Sequence, residues 1–146
     1  MIDLIPGIRS SSSALNAERI RLEVIAQNIS NANTTRSING QPYQRQQVVF
    51  ETMLSDVQKK SGEFGMNAPK QVQIAKIQKD SKPPRMVFNP GHPDADEQGM
   101  VAMPDINVHE EMADLLTASR AFEANLAVIR NARSMAIQTL SIGKRS

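Results

Sequence analysis

The chain has 146 residues, 40% of them apolar and 22% charged, which is typical of one folded domain rather than of a disordered chain. Its net charge of +2 gives no indication of a nucleic-acid binder, and the absence of cysteine excludes disulfides and sulfur-ligated zinc. No uncharged apolar run approaches the roughly 18 residues that a membrane-spanning helix needs. The first residues lack the pattern of a cleaved signal peptide, so we expect a cytosolic chain or one exported with its start intact.

The first segment, residues 1–34, is predicted to be helical from residue 10 to about residue 33. Apolar side chains recur there at seven-residue spacing, and Ile25 extends the same stripe, as in a coiled coil. The serines at 10–13 are candidate N-caps, and the asparagines and threonines near residue 33 favour an end to the helix. The repeating residues are Ile8, Leu15, Leu22 and Ile29.

The middle segment, residues 35–105, contains every proline except Pro6. Its β-branched clusters predict short strands at residues 43–50, 71–77, 85–88 and 99–103. Turn signals separate these clusters. We therefore expect a small β-rich middle in a chain that is otherwise mainly α.

The last segment, residues 106–146, predicts one long helix from Val108 to about Ile142, capped by Asn107. Two columns of side chains run along it at seven-residue spacing. One column is Val108, Leu115, Phe122, Ile129 and Ala136; the other is Met112, Ser119, Leu126, Arg133 and Leu140. At about 1.5 Å per residue this helix is roughly 50 Å long, more than a small globule needs.

The two terminal helices are predicted to form a coiled-coil-like pair, with Leu22, Ile25 and Ile29 facing the columns of the last segment. The simpler alternative is the core of a small helical bundle. Two helices alone leave apolar surface uncovered, and alanines in the last segment allow further helices to approach closely. The pattern therefore favours lateral assembly with other helices.

Nothing in the sequence predicts an enzyme, a cofactor or a metal site. Asp94, Asp96 and Gly99 match part of a calcium loop, but the bidentate glutamate that such a loop needs is missing. Pro104 directly precedes the position where that glutamate would lie. No catalytic serine–histidine pattern or phosphate-binding glycine loop occurs. Basic residues of the middle segment lack the interleaved aromatics of a nucleic-acid groove. We expect no nucleic-acid partner and no small-molecule substrate.

Several ordered motifs resemble those of bacterial flagellar rod proteins. They are residues 31–35 (NANTT), 42–50 (PYQRQQVVF), 89–99 (NPGHPDADEQG), 104–108 (PDINV) and 111–125 (EMADLLTASRAFEAN). The residues that carry this resemblance are Asn31, Asn33, Thr34, Tyr43, Pro90, Gly91, Pro93, Gly99, Arg120 and Asn125.

The resemblance implies a structural subunit of the flagellar basal body. In such proteins the terminal helices pack in the inner layer of a helical tube, and the β-rich middle faces outward. The tube is the periplasmic rod, a drive shaft that transmits motor torque towards the hook. Implied partners are copies of the chain, other rod subunits, membrane-ring and rod-adaptor components, and the flagellar type III export apparatus. The alternative is a soluble coiled-coil adaptor or export chaperone.

Overall fold

The computed structural model describes residues 5–37, 39–54 and 70–143. Two long helices enclose four strands in chain order: α1 (Ile5–Ser30), β1 (Gln46–Leu54), β2 (Lys70–Lys79), β3 (Arg85–Phe88), β4 (Met100–Met103) and α2 (Val108–Gly143). The predicted class, mainly α with a small β-rich middle, is confirmed. Neither described helix is apolar enough over a sufficient length to cross a membrane.

Helix α1 begins five residues before the predicted start, so the prediction that serines 10–13 cap it is wrong. These serines lie within the helix, where the Ser13 hydroxyl donates to the Ser10 carbonyl at 2.8 Å. The early start is compatible with Pro6, because a first-turn residue needs no partner for a backbone N–H.

The end of α1 is a compact asparagine turn. The helix ends at Ser30, three residues before the predicted Asn33. The Asn31 side chain donates back to the Gln27 carbonyl at 2.8 Å, and the Thr34 hydroxyl donates to the Asn31 side-chain oxygen at 3.2 Å. The Gln27 carbonyl also accepts the Asn31 backbone N–H at 3.1 Å, so the Asn31 side chain adds a second bond to one of the last helical carbonyls and stabilises the turn.

Helix α2 has 36 residues and is therefore about 54 Å long. Its predicted N-cap is confirmed, because the Asn107 side-chain oxygen accepts the backbone N–H of His109 at 3.2 Å. Glu110 and Glu111 occupy the first turn, where negative charge is favourable. The helix continues to Gly143, one residue beyond the prediction.

The strands of the described residues form two separate antiparallel pairs. The longer pair, which we call the ribbon, joins β1 to β2 from Gln46 opposite Lys79 to Leu54 opposite Lys70, with a register shift between Val49 and Phe50. The shorter pair, which we call the hairpin, joins β3 to β4. Strand β1 starts at Gln46, three residues after the predicted start.

Helix α1 packs against α2 on one side and against the ribbon on another. The two helices are antiparallel, since Asn28 contacts Glu111 while the earlier Arg21 contacts the later Asp114. The buried α1 side chains are Ala17, Val24, Ile25 and Asn28. This packing places the core along α1, and the coiled-coil form of the helix pair stays a prediction.

The buried line of α2 lies beside the first predicted column, on the side away from the second column. Glu111, Ala118 and Ala132 are its buried members, and they share seven-residue spacing. The first predicted column flanks this line and is half-buried from Val108 to Ala136. In the second column, Leu126 is half-buried, whereas Met112 and Leu140 are exposed.

Candidate functional site: a buried polar junction

Two polar side chains lie in the core of the described residues: Asn28 of α1 and Glu111 of α2, each 1% exposed. They touch each other, with the Asn28 side-chain nitrogen donating to Glu111 Oε2 at 3.0 Å. A buried polar group is costly unless it is hydrogen-bonded, so their other partners decide whether this junction holds the fold together.

Asn28 uses the full hydrogen-bonding capacity of its side-chain amide. Nδ2 donates to Glu111 Oε2 and to the backbone carbonyl of Gln46, the latter at 2.9 Å. Oδ1 accepts from the Gln46 backbone N–H at 2.9 Å and from the Tyr43 hydroxyl at 3.0 Å. Two donors and two acceptors are all that an amide side chain offers, so Asn28 is saturated.

Glu111 is paired with Arg45, which precedes β1. Arg45 Nε donates to Glu111 Oε1 at 2.6 Å, and Nη2 lies 2.5 Å from the same oxygen. The rim of the junction holds looser charges, since Asp114 lies 3.9 Å from Arg45 and 4.0 Å from Arg21. A buried carboxylate therefore has both a cation and an amide donor, which is what its burial requires.

Tyr43 is the fourth residue of the junction, and its surroundings change the pKa of its hydroxyl. Burial raises the pKa of the Tyr43 hydroxyl above its ordinary value, and the negative charge of Glu111 raises this pKa further. The neutral hydroxyl is thus favoured, and as a donor it holds Asn28 Oδ1. The Tyr43 backbone N–H also bonds the Thr34 carbonyl at 3.2 Å, which ties the junction to the turn after α1.

A second contact brings distant motifs together. The Thr35 hydroxyl donates to Asp94 Oδ2 at 2.8 Å, and Arg36 lies 3.6 Å from Asp94 Oδ1. The motif that follows α1 therefore packs against the loop between β3 and β4. Asp94, which stood in the partial calcium loop, serves here as an acceptor between two segments.

The loop between β3 and β4 is closed by Asp96 and Gly99. Asp96 Oδ1 accepts the backbone N–H groups of Gln98, at 2.9 Å, and Met100, at 2.8 Å. Gly99 has a φ of +77°, and a side chain there would meet Phe88 at 3.0 Å. Within the described ranges, no three His, Asp or Glu side chains are grouped so that they could hold a metal ion.

Comparison with known proteins places this architecture in a family. Residues 8–36 match the model described as flagella basal body rod protein, and residues 97–142 match the flagellar basal body rod FlgEFG protein C-terminal model. The chain is 37% identical to the flagellar basal-body rod protein FlgC of Borreliella burgdorferi, covering 95% of this chain and 97% of that one.

FlgC of Yersinia enterocolitica is 38% identical over 92% of this chain and 93% of its own length. FlgC of Bacillus subtilis is 34% identical over 94% and 97%, respectively. The chain belongs to the FlgC family of flagellar basal-body rod proteins. The resemblance inferred from the sequence motifs is therefore confirmed. The two regions that match the rod-protein models contain most of α1 and nearly all of α2, the two helices that the junction connects.

The residues expected to mediate helix packing in a FlgC-family chain differ in their surroundings. Ile25 is buried against neighbouring elements, whereas Met112 and Leu140 are 57% and 73% exposed. Their roles in assembly stay predictions. The remaining members are half-buried: Ile8, Leu15, Leu22, Ile29, Val108, Leu115, Phe122, Leu126 and Ile129.

The residues that carry the resemblance to rod proteins fall into two groups. Asn31, Thr34, Tyr43 and Gly99 make the turn, junction and loop contacts described above. In the second group, Asn125 donates to the Ala121 carbonyl one turn earlier at 3.0 Å. The exposed members are Asn33, Pro90, Gly91, Pro93 and Arg120.

The sequence patterns alone do not single out three junction residues, Asn28, Arg45 and Glu111. Asn28 lies among the polar residues near the end of α1, three positions after the apolar Ile25. Glu111 has the ordinary position of a first-turn acid and lies seven positions before Ala118. A polar residue in line with an apolar stripe was the available signal in both cases.

Proposed function

We infer that this protein is a structural subunit of the flagellar basal-body rod and that it acts in the proximal part of that rod. The family membership supports the rod assignment, and the named FlgC relatives are rod proteins. The saturated hydrogen bonds of Asn28 and the ion pair of Glu111 suit a mechanical role, since they leave the buried amide no free group for chemistry. An adaptor or chaperone role is not favoured.

One observation carries the assembly proposal: the distal part of α2 exposes large apolar side chains around the helix. Val128, Met135 and Ile142 lie on one line at seven-residue spacing, and each is at least 51% exposed. Ile137 and Leu140 extend the apolar surface to other sides at 56% and 73% exposure. A helix that is apolar on several sides is typical of one that neighbouring chains surround.

We propose that neighbouring subunits cover this helix in a helical tube. Contacts between unlike surfaces that fail to close into a ring generate such tubes. In this proposal residues 1–34 and 106–146 form the inner helical layer as coiled-coil-like pairs, and residues 35–105 form the outer β-rich layer. Packed helices then transmit torque along the rod. The resemblance to rod proteins supports a periplasmic location, type III export without a cleaved signal peptide, and contacts with ring and adaptor components.

The test replaces an exposed apolar side chain of α2 with a charge. Leu140→Asp is expected to abolish swimming in a strain that lacks its own copy of the gene, because an assembled helix would bury an unpaired carboxylate. The matched control is Gln138→Asp, which adds the same charge two positions away on an exposed polar residue.

Export and assembly are separated by measuring secreted protein and purified basal bodies for each variant. We expect Leu140→Asp to be exported at the level of the unsubstituted chain and to be missing from basal bodies. Normal swimming of Leu140→Asp would show that this surface is not covered in the rod. Equal loss of swimming in Gln138→Asp would show that charge alone, rather than the lost apolar contact, causes the defect.

A further inference from the structure

The Asn28 side chain hydrogen-bonds both backbone groups of one residue, Gln46. Its Nδ2 donates to the Gln46 carbonyl at 2.9 Å, and its Oδ1 accepts the Gln46 N–H at 2.9 Å. A side-chain amide has the same donor and acceptor groups as a peptide unit, so Asn28 satisfies Gln46 as a neighbouring strand would. Because two bonds join Asn28 to Gln46, Gln46 cannot rotate about one of them without breaking the other.

Gln46 is the root of the ribbon. It is the first residue of β1 and pairs with Lys79, the last residue of β2. Just below this pair, the Asp80 N–H bonds the Arg45 carbonyl at 2.7 Å. Gln46 and Lys79, at one end of the ribbon, therefore lie where Asn28 contacts β1.

The remaining bonds of Asn28 reach the other helix. Glu111 of α2 accepts from Nδ2 at 3.0 Å, and Glu111 is itself held by Arg45, the neighbour of Gln46. One side chain of α1 thus contacts α2 and the ribbon root together. At 1% exposure, Asn28 has little water available to replace any of these partners.

We propose that Asn28 is the joint that fixes the orientation of the ribbon on the helix pair. The bonds to Gln46 set this orientation, and the bond to Glu111 sets the pairing of the two helices at the same level. The joint belongs to the single chain and does not depend on assembly into a rod. Other contacts of α1 with β1 and β2 hold the ribbon near the helix, and Asn28 sets the angle between the ribbon and α1.

Two variants separate the two kinds of bond. Asn28→Asp keeps the size of the side chain and, in its ionised form, removes both donors, so the Gln46 carbonyl and Glu111 Oε2 lose their partner; the measurement is therefore made at alkaline pH below about 10. The double variant Asn28→Asp with Glu111→Gln restores a donor between the helices, because the new amide can bond the new carboxylate. The Gln46 carbonyl stays without its partner in the double variant. Asn16→Asp is the matched control at an exposed position of α1.

The measurement is the distance between pairs of spin labels on the full-length monomer, by double electron–electron resonance. The sequence has no cysteine, so introduced cysteines are labelled uniquely. Ala26→Cys with Gln78→Cys reports the ribbon against α1, and Ala26→Cys with Ala124→Cys reports the helix pair. All three positions are exposed.

In the unsubstituted chain and in Asn16→Asp we expect one narrow distance peak for each label pair. The double variant is expected to keep the narrow helix-pair peak and to lose the narrow ribbon peak. Asn28→Asp alone is expected to lose the narrow ribbon peak. If it also loses the narrow helix-pair peak, the double variant shows whether the ribbon angle depends on the bonds to Gln46 or on the pairing of the helices.

Three results would overturn the proposal. The first is a narrow ribbon peak in Asn28→Asp or in the double variant, because another contact would then set the angle. The second is loss of the helix peak in the double variant, because the two kinds of bond would then be inseparable. The third is a broad ribbon distribution in the unsubstituted chain. The distances are measured in the monomer and do not depend on swimming, so this test is independent of the rod assignment.

Discussion

The Arg45 guanidinium approaches a single carboxylate oxygen of Glu111 with two nitrogens, Nε at 2.6 Å and Nη2 at 2.5 Å. The carboxylate side chain is 1% exposed, whereas the arginine is 24% exposed. Removing the cation leaves a buried charge, which costs about 3 to 5 kcal/mol in comparable pairs. Arg45→Met is expected to lower the free energy of unfolding by about that amount, measured by urea denaturation.

The control for this prediction is Arg19→Met. Arg19 also lies 3.0 Å from a glutamate, Glu23, but the two side chains are 59% and 61% exposed. Exposed pairs contribute little because water and salt screen them, so a change below about 1 kcal/mol is expected. Equal losses in the two variants would contradict the special role of the Glu111 pair.

The alkaline stability of the protein is expected to depend on Tyr43. Its pKa is raised in the folded chain, first by burial and then by Glu111, above an unfolded value of about 10. The stability that the neutral Tyr43 hydroxyl contributes is fully present below about pH 10, and it is lost as the pH rises through the pKa of the folded chain. Stability should therefore fall over that window, and Tyr43→Phe should abolish this part of the fall.

Tyr43 is the only tyrosine and there is no tryptophan, so tyrosinate absorbance reports its ionisation directly. Near neutral pH, Tyr43→Phe also loses the hydrogen bond to Asn28, about 1 kcal/mol. Glu111→Gln should lower the Tyr43 pKa only partly, because burial is the larger cause. An ordinary pKa in the unsubstituted folded chain would contradict this account.

Gly99 and Gly40 offer a matched pair for testing the loop between β3 and β4. Both have positive φ, +77° and +72°, so an alanine is strained by roughly 1 to 2 kcal/mol at either position. Only at Gly99 would the new methyl meet atoms at 3.0 and 3.1 Å, on Phe88 and Pro90. Gly99→Ala should lower the thermal midpoint clearly more than Gly40→Ala. Equal shifts would show that the Phe88 ring and Pro90 move aside freely.

Protection from hydrogen exchange is expected to fall along α2. Its buried side chains end at Ala132, and residues 137–143 are all exposed. Helical segments with few buried contacts open at lower free energy. Amides of residues 111–118 should therefore exchange slowly in the monomer, as should those of residues 17–28, while those of 137–143 exchange quickly. Uniform protection along α2 would contradict this expectation.

The elements of the fold could be predicted largely because their signals are local. Seven-residue spacing predicts both helices, and the polar turn around Asn31 predicts the end of α1 within three residues. The start of α1 differs from the prediction because serines 10–13 are suitable caps in sequence, while Pro6 is equally compatible with a first helical turn. The separation of the strands into two pairs has no local signal, since each short run fits either arrangement.

The junction could not be predicted because its partners are far apart in sequence. The Asn28–Glu111 bond depends on the antiparallel packing of α1 and α2, and the Arg45 contact depends on where β1 begins. Each residue type also has an ordinary local role: asparagine at helix ends and glutamate in first turns. Only the line of buried positions through Ala118 indicates that Glu111 points inward.

The helix pair joins residues that are 83 positions apart at Asn28 and Glu111. Contacts of such long sequence separation form slowly, because a large loop must close before any stabilisation is gained. The ribbon and the hairpin give no early nucleus, since isolated two-stranded sheets are marginal in water. Folding therefore waits until both terminal segments are free to meet, whichever end of the chain emerges first. A chain still held at one end therefore lacks the contact between α1 and α2, and its native structure forms late.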